Sequence, residues 1–319
     1  MLEEVERWLQ ARSWSAADRP LEQLLAAKAA QGAARPQTVS VVLPALNEEA
    51  TVGEIVATIR RDLMSPAVPL VDELVVIDSG STDHTAKAAA EAGARVVHRD
   101  EILPRVPAVP GKGEVLWRSL LVTTGDIVCF VDADLKEFDA SFVSGIVGPL
   151  LTDPGVDFVK ATYDRPLDGA TGQGGRVTEL MARPLLNLHW PRLAGFVQPL
   201  GGEYAARRSL LERLPFPVGY GVELGLLIDS LHTVGLDALA QVDVGVRVHR
   251  HQDGQALGRM AAAIYRTAQL RLSRGHLIRP ALTQFERIGT AFVPRTHPVD
   301  TEERPPMREI AEYAERQAA

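Results

Sequence analysis

Apolar runs of strand length stand at 39–43, 73–77, 95–98 and 127–131, and between them apolar residues recur at helical spacing over 49–63, 83–92 and 113–123. Strand, helix, strand in this rhythm predicts a mostly parallel, doubly wound α/β sheet. Beyond residue 150 the pattern is mixed. A strand is expected at 156–163, and a Gly-rich loop from Thr171 opens a helix. A strand or turn followed by a helix covers 198–214, a helix 219–235, a last strand 240–251, and a basic helix with an apolar stripe 255–280. The first 36 residues read as one or two short helices, with Trp8 and Trp14 docked on the main body. The tail, 281–319, reads as a loop and a surface helix.

Composition narrows the picture modestly. With 319 residues, 46% of them apolar and 24% charged, the chain is long enough for a sizeable core and ordinary for a globular protein. A net charge of −7 argues against nucleic acid as the main partner. The one cysteine, Cys129, lies in an apolar run, so an intrachain disulfide is impossible and a buried small hydrophobe is expected. The opening MLEEVERWLQ is acidic and lacks the basic and apolar regions of a secretory leader. No run approaches the roughly 18 apolar residues of a membrane span, so a cytoplasmic protein without membrane contact is expected.

The chemistry gathers where apolar runs stop. PALNEE from Pro44, DSGSTDHT from Asp78 and VDADL from Val131 each follow a strand. The carboxyl ends of strands in an open parallel sheet are where ligands bind. Residues i and i+2 of an extended segment point the same way, so Asp132 and Asp134 can face one hard divalent cation. Such a cation neutralises the charge developing on a diphosphate leaving group. Asn47, Glu48 and Glu49 are placed at the start of the next helix, as caps or ligand contacts. Gly80 permits a tight turn, Ser81 or Asp83 can cap the following helix, and Asp78 or Ser79 is expected to touch a nucleotide.

Four further stretches complete the set. GKGE from Gly111 lacks the spacing of an ATP-binding loop, yet its two glycines leave Lys112 and the backbone free to approach a phosphate. TGQGGRVTEL places Arg176 and Thr178 in the first turn of a helix, an anion site separate from the diphosphate. His249 and His251 share a face at the end of the last strand, and His249 is the expected third metal ligand. Tyr220 and Glu223, one helical turn apart, are expected to face together, with Glu223 either lining a pocket or serving as a paired structural acid.

With VVLPALNEEAT, DSGSTD, PGKGE, TTGDI, GGRVTEL, QPL-GEYAA, GYGVE and GVR-HR on view, the chain resembles the glucosyl-3-phosphoglycerate synthases, retaining glycosyltransferases of the GT-A fold. A mannosyl-3-phosphoglycerate synthase branch is closely similar. The resemblance covers about 38–280. It implies a Rossmann-like, mostly parallel mixed sheet. The implied segments are an N-terminal helical extension (1–37), a nucleotide-sugar half (38–154), an acceptor half (155–254), and a C-terminal helix and tail (255–319) that contributes to a homodimer.

The resemblance also implies roles. Pro44, Leu46, Glu48, Asp78, Ser79, Lys112, Asp132 and Ala133 would hold the nucleotide sugar. Asp132, Asp134 and His249 would hold Mg2+ or Mn2+. Gly175, Arg176 and Thr178 would take the phosphate of 3-phosphoglycerate, while Leu200, Gly201, Tyr220, Glu223, Arg247 and His251 line the sugar and acceptor pocket. Asp134, Glu223 and Lys112 would carry the chemistry. Two departures bear on donor choice: Gly201 stands where serine is expected, and His251 where asparagine is expected.

The implied reaction is hexose transfer, with retention, from a nucleotide-diphosphate sugar to the 2-hydroxyl of D-3-phosphoglycerate. UDP-glucose is the first choice and GDP-mannose the second, with dual use open. The product would feed compatible-solute or methylglucose polysaccharide synthesis. A sugar nucleotidyltransferase is the more distant reading, but PALNEE stands where those enzymes carry a Gly-rich, Arg-containing loop.

Overall fold

The computed structural model describes residues 1–30, 36–164, 175–247, 253–272, 281–288, 291–298 and 302–318. Its centre is an eight-stranded sheet of β1 (Ser13–Ser15), β2 (Val39–Ala45), β3 (Glu73–Asp78), β4 (Arg95–His98), β5 (Ile127–Phe130), β6 (Phe158–Asp164), β7 (Tyr204–Arg207) and β8 (Leu239–Val246), in spatial order β1-β8-β6-β7-β5-β2-β3-β4. All pairings are parallel except those of β7, which runs antiparallel to both β5 and β6. That reversal matters. It brings the start of β7 to the edge where the parallel strands end.

The central strands are apolar on consecutive residues because both faces are covered. Val42, Val75, Val128 and Phe130 join one core, and Val41, Leu43, Val76 and Cys129 the other. Cys129 is fully buried, as expected. Burial pushes its thiol well above the ordinary range, which leaves it unreactive. Around the sheet lie α1 (Glu3–Arg12), α2 (Leu21–Ala30), α3 (Val52–Leu63), α4 (Thr85–Glu91), α5 (Lys112–Val122), α6 (Ser141–Thr152), α7 (Arg183–His189), α8 (Val222–Val234), α9 (Gly254–Leu272) and α10 (Ala311–Ala318). None of the described helices is long and apolar enough to cross a membrane.

Several elements depart from the sequence expectation. The N-terminal segment contributes β1 to the sheet edge beside β8 as well as two helices. Trp8 is buried and donates to the Leu239 carbonyl at 2.7 Å. Helix α6 has no counterpart in the expected elements, because SFVSGIVGPLL is apolar all round and lacks a helical stripe. The tail expected to begin as a loop instead forms a hairpin, Ala281–Ile288 against Ala291–Pro298. Helix α3 begins at Val52, not at residue 49. Asn47 therefore does not cap it.

Candidate functional site

The loops after β2 and β3 are laced into one wall. Asn47 adopts a left-handed backbone, φ 58°, which asparagine tolerates better than most residues. Its side-chain oxygen accepts from Thr82 N at 2.9 Å, and its own N–H donates to Ser81 Oγ at 3.0 Å. Glu48 N donates to Thr85 Oγ1 at 2.8 Å. Asp78 is buried and accepts from Ser81 N and Oγ at 3.2 and 2.5 Å, closing the turn at Gly80, whose φ is +95°. Ser79 N donates to Ala45 O at 2.9 Å, which joins the ends of β2 and β3. Pro44 is half-buried and Leu46 is 53% exposed on the open side of the wall. Asp83 stands one residue before His84, the N-cap of α4, and accepts from Thr85 N at 3.0 Å.

Beyond the end of β5 lies a cluster of charge. Asp132 and Asp134 both accept from the Arg247 guanidinium just after β8, at 2.8 Å to Asp132 Oδ2 and 3.3 Å to Asp134 Oδ1. Arg247 Nε also donates to Glu203 Oε1 at 3.0 Å, and Glu203 Oε2 accepts from the Tyr163 hydroxyl at 2.7 Å. On the other side of Asp132, the Lys112 ammonium bonds its Oδ1 and lies 2.8 Å from Glu223 Oε1. Ala133, buried between the two aspartates, accepts through its carbonyl from Thr51 Oγ1 at 2.5 Å.

Lys112 is no solvated helix-start lysine. Gly111 and Gly113 let the start of α5 lie against the 217–218 backbone. A Cβ at Gly113 would fall 1.8 Å from Pro217 O, and one at Gly111 2.3 Å from Val218 O. This approach seats Lys112 inward. Burial opposes its charge, but Asp132 and Glu223 outweigh that and hold its pKa well above the usual lysine range. The same balance holds Arg247 well above its usual value against burial, through Glu203, Tyr163 and the two aspartates. Burial, then the neighbouring Asp132, push the Asp134 carboxyl up, with Arg247 opposing. Two adjacent carboxylates, one held up by its surroundings, are a donor set suited to a hard divalent cation that takes its remaining ligands from phosphate and water. Among the described residues no third His, Cys, Asp or Glu converges with them. His249, the expected third ligand, and His251 lie outside the described residues.

The remaining expected residues separate. Gly175, with φ +80°, Arg176 and the buried Thr178 stand at the entry to a π-helical turn, Thr178–Ala182, on a segment of their own. The glycines from 172 to 174 lie outside the described residues. Tyr220 and Glu223 do not share a helical turn, because α8 begins at Val222; Tyr220 is 50% exposed and Glu223 buried. Leu200 and Gly201 belong to the turn that precedes β7, where Gly201 N donates to Gln198 O at 3.0 Å.

Three residues of the cluster were not anticipated. Glu203 is fully buried, and Gly202 is required because a Cβ there would lie 2.1 Å from Asp132 Oδ2. Lys160, midway along β6, is also fully buried. A lone lysine inside the apolar run VDFVKATY was the readable signal for it, since lysine is almost never fully buried without a partner.

Residues 40–196 match the family model described as glycosyl transferase family 2. The chain is 51% identical over 308 residues to the glucosyl-3-phosphoglycerate synthase of Mycolicibacterium smegmatis, covering 94% of this chain and 97% of that protein. The chain belongs to the glucosyl-3-phosphoglycerate synthase family, and it is a glycosyltransferase. Among solved structures, it resembles glucosyl-3-phosphoglycerate synthase from Mycobacterium tuberculosis in complex with Mn2+, UDP-glucose and phosphoglyceric acid, with TM-score 0.79, 50% identity, and 91% and 94% of the two chains covered. It resembles mannosyl-3-phosphoglycerate synthase from Rubrobacter xylanophilus with TM-score 0.88 and 41% identity, over 96% and 97% of the two chains. Membership in this family accounts for the mostly parallel mixed sheet.

Proposed function

We propose that the protein transfers glucose from UDP-glucose to the 2-hydroxyl of D-3-phosphoglycerate, with retention, using Mg2+ or Mn2+. The observation that carries the reading is the Lys112 ammonium set between Asp132 and Glu223 at the carboxyl edge of the sheet. A cation beside a metal-suited carboxylate pair is what a departing diphosphate requires. Asp132 and Asp134 hold the metal with His249, and a bound divalent cation neutralises the diphosphate of the donor.

The chain's own groups do the rest. Lys112 keeps its proton across the working range and presents fixed positive charge to the leaving phosphate. Leu46 and the Glu48–Ser79 wall receive the nucleoside, with Pro44 and Asp78 behind it. Gly175, Arg176 and Thr178 take the acceptor phosphate, and Tyr220, Leu200 and Gly201 border the sugar. Glu223 is ion-paired to Lys112, so it serves as a positioning acid rather than a free nucleophile. In this reading displacement proceeds from the front face with no covalent sugar on the enzyme, and trapping a glycosyl adduct on Glu223 overturns it. The homodimeric state and cytoplasmic location belong to the same proposal; light scattering that finds a monomer at micromolar concentration removes the dimer.

The test is turnover with D-3-phosphoglycerate and Mn2+ or Mg2+, comparing UDP-glucose with GDP-mannose. A kcat/KM favouring UDP-glucose upholds the reading, and one favouring GDP-mannose reassigns the donor, an outcome consistent with the close overall likeness to the mannosyl enzyme. Absence of transfer from both donors overturns it.

A further inference from the structure

Lys160 stands outside every role assigned so far. Its backbone sits in the sheet interior, in register with Tyr204 of β7 and Gln241 of β8. Its side chain is fully buried, and its ammonium donates to the Gly201 carbonyl at 2.7 Å. It lies 4.8 Å from the centre of the Tyr204 ring. A charge is costly in such a place unless a partner requires it.

The partner is the Gly201–Gly202 peptide. Its carbonyl end is held by Lys160, and its far Cα packs on the donor machinery: the Cβ that Gly202 lacks would lie 2.1 Å from Asp132 Oδ2 and 2.6 Å from Lys112 Nζ. The peptide is thus a plate between Lys160 below and the Asp132–Lys112 pair above. The local charge count agrees. Four carboxylates (Asp132, Asp134, Glu203, Glu223) meet three cations (Lys112, Arg247, Lys160), and removing Lys160 leaves four against two.

We propose that Lys160 is a positioning residue for sugar transfer: its ammonium orients the Gly201–Gly202 peptide against Asp132 and Lys112 and supplies positive charge beneath the donor diphosphate. The inference rests on the proposed glucosyl transfer. Outer-sphere partners of this kind are worth about 10- to 100-fold in metal affinity or activity.

Titration offers a signature that a merely structural lysine would not produce. Burial lowers the Lys160 pKa to about 8; Glu223, Glu203 and Asp132 oppose the fall and Lys112 adds to it. Of the other groups facing it, Lys112 is held charged, and burial keeps the Tyr204 hydroxyl neutral by raising it well above the ordinary range.

The experiment compares wild type, K160M and K160R for kcat, for KM of both substrates, for the pH profile of kcat, and for the affinity of UDP with Mn2+ by calorimetry. K160M is expected to lose about tenfold or more in kcat, with the KM for D-3-phosphoglycerate little changed, and to bind UDP with Mn2+ about tenfold more weakly. The alkaline fall in wild-type kcat should vanish in both variants, since methionine has no proton to lose and arginine keeps its own. A K160M enzyme with kcat and UDP–Mn2+ affinity within twofold of wild type and an unchanged alkaline fall overturns the proposal. Should K160M not fold, persistence of the alkaline fall in K160R overturns it instead. Wild-type turnover separates the two readings. Its absence would defeat glucosyl transfer, while the calorimetric comparison would still decide for or against Lys160.

Discussion

Lys112 Nζ lies 2.8 Å from Glu223 Oε1, which ties the first residue of α5 to the first turn of α8. The bond joins two segments more than a hundred residues apart in sequence and places both beside Asp132. Removing Lys112 leaves Glu223 buried without its charge partner. Lys112→Ala should therefore cost about 3 kcal/mol in urea unfolding as well as kcat. A double-mutant cycle with Glu223→Ala should return a coupling of about 1–3 kcal/mol. A coupling near zero would mean the pair is not maintained in solution.

The start of α5 also depends on what is missing from its side chains. Gly113→Ala would put a methyl group 1.8 Å from the Pro217 carbonyl, a backbone atom that no rotamer change can move. The expected loss is about 2–4 kcal/mol in stability, together with lowered kcat, because Lys112 is displaced with its helix. Equilibrium denaturation and turnover of the same preparation check both.

Metal dependence follows from the carboxylate pair. Chelation should abolish turnover, and Mn2+ or Mg2+ should restore it. Asp134→Asn removes one of the proposed ligands and should weaken the apparent metal affinity by about two orders of magnitude or more, read by titration of activity or by calorimetry. Undiminished affinity would displace the site from Asp134.

The C-terminal segment braces the helix that carries Lys112. Glu114 and Arg118 are both fully buried, with Arg118 Nε 2.7 Å from Glu114 Oε1, and Arg304 Nε reaches Glu114 Oε2 at 2.7 Å. Trp117 Nε1 donates to Pro305 O at 2.9 Å. Glu114→Ala strips two arginines of their partner and should cost about 3–5 kcal/mol, whereas Arg304→Ala, at a partly buried position that leaves Arg118 on Glu114, should cost less. Equal losses for the two variants would contradict this ordering.

Stability should also depend on pH through Lys160. Its folded pKa, about 8, lies below that of an exposed lysine, so the unfolded chain binds the proton more tightly. The burial cost is fully present below pH 8 and is relieved as pH rises from 8 towards about 10.5. Wild type should therefore gain stability relative to K160M, which has no proton to lose, as pH rises through that range. Thermal midpoints across that range test the sign.

The sequence by itself determined a great deal. Apolar runs at Val39, Glu73 and Ile127 located three central strands, because strands covered on both faces are apolar on consecutive residues. The oxygen-rich turns after them marked the carboxyl edge, where Asp132 and Asp134 both meet the Arg247 guanidinium, although Asp134 lies in a turn and not on an extended strand end. Local pattern stops there. Helix α6 escaped it, since an all-apolar helix has no stripe to read, and Asn47 looked like a cap although it bonds across to Thr82. Only the tertiary structure decided that β7 runs antiparallel, and from that single reversal follow the placement of Gly202 on Asp132, Glu203 on Arg247 and Gly201 on Lys160. Those contacts join residues far apart in the chain. No spacing rule encodes them, because strand direction and partner are set by how the whole sheet buries its two faces.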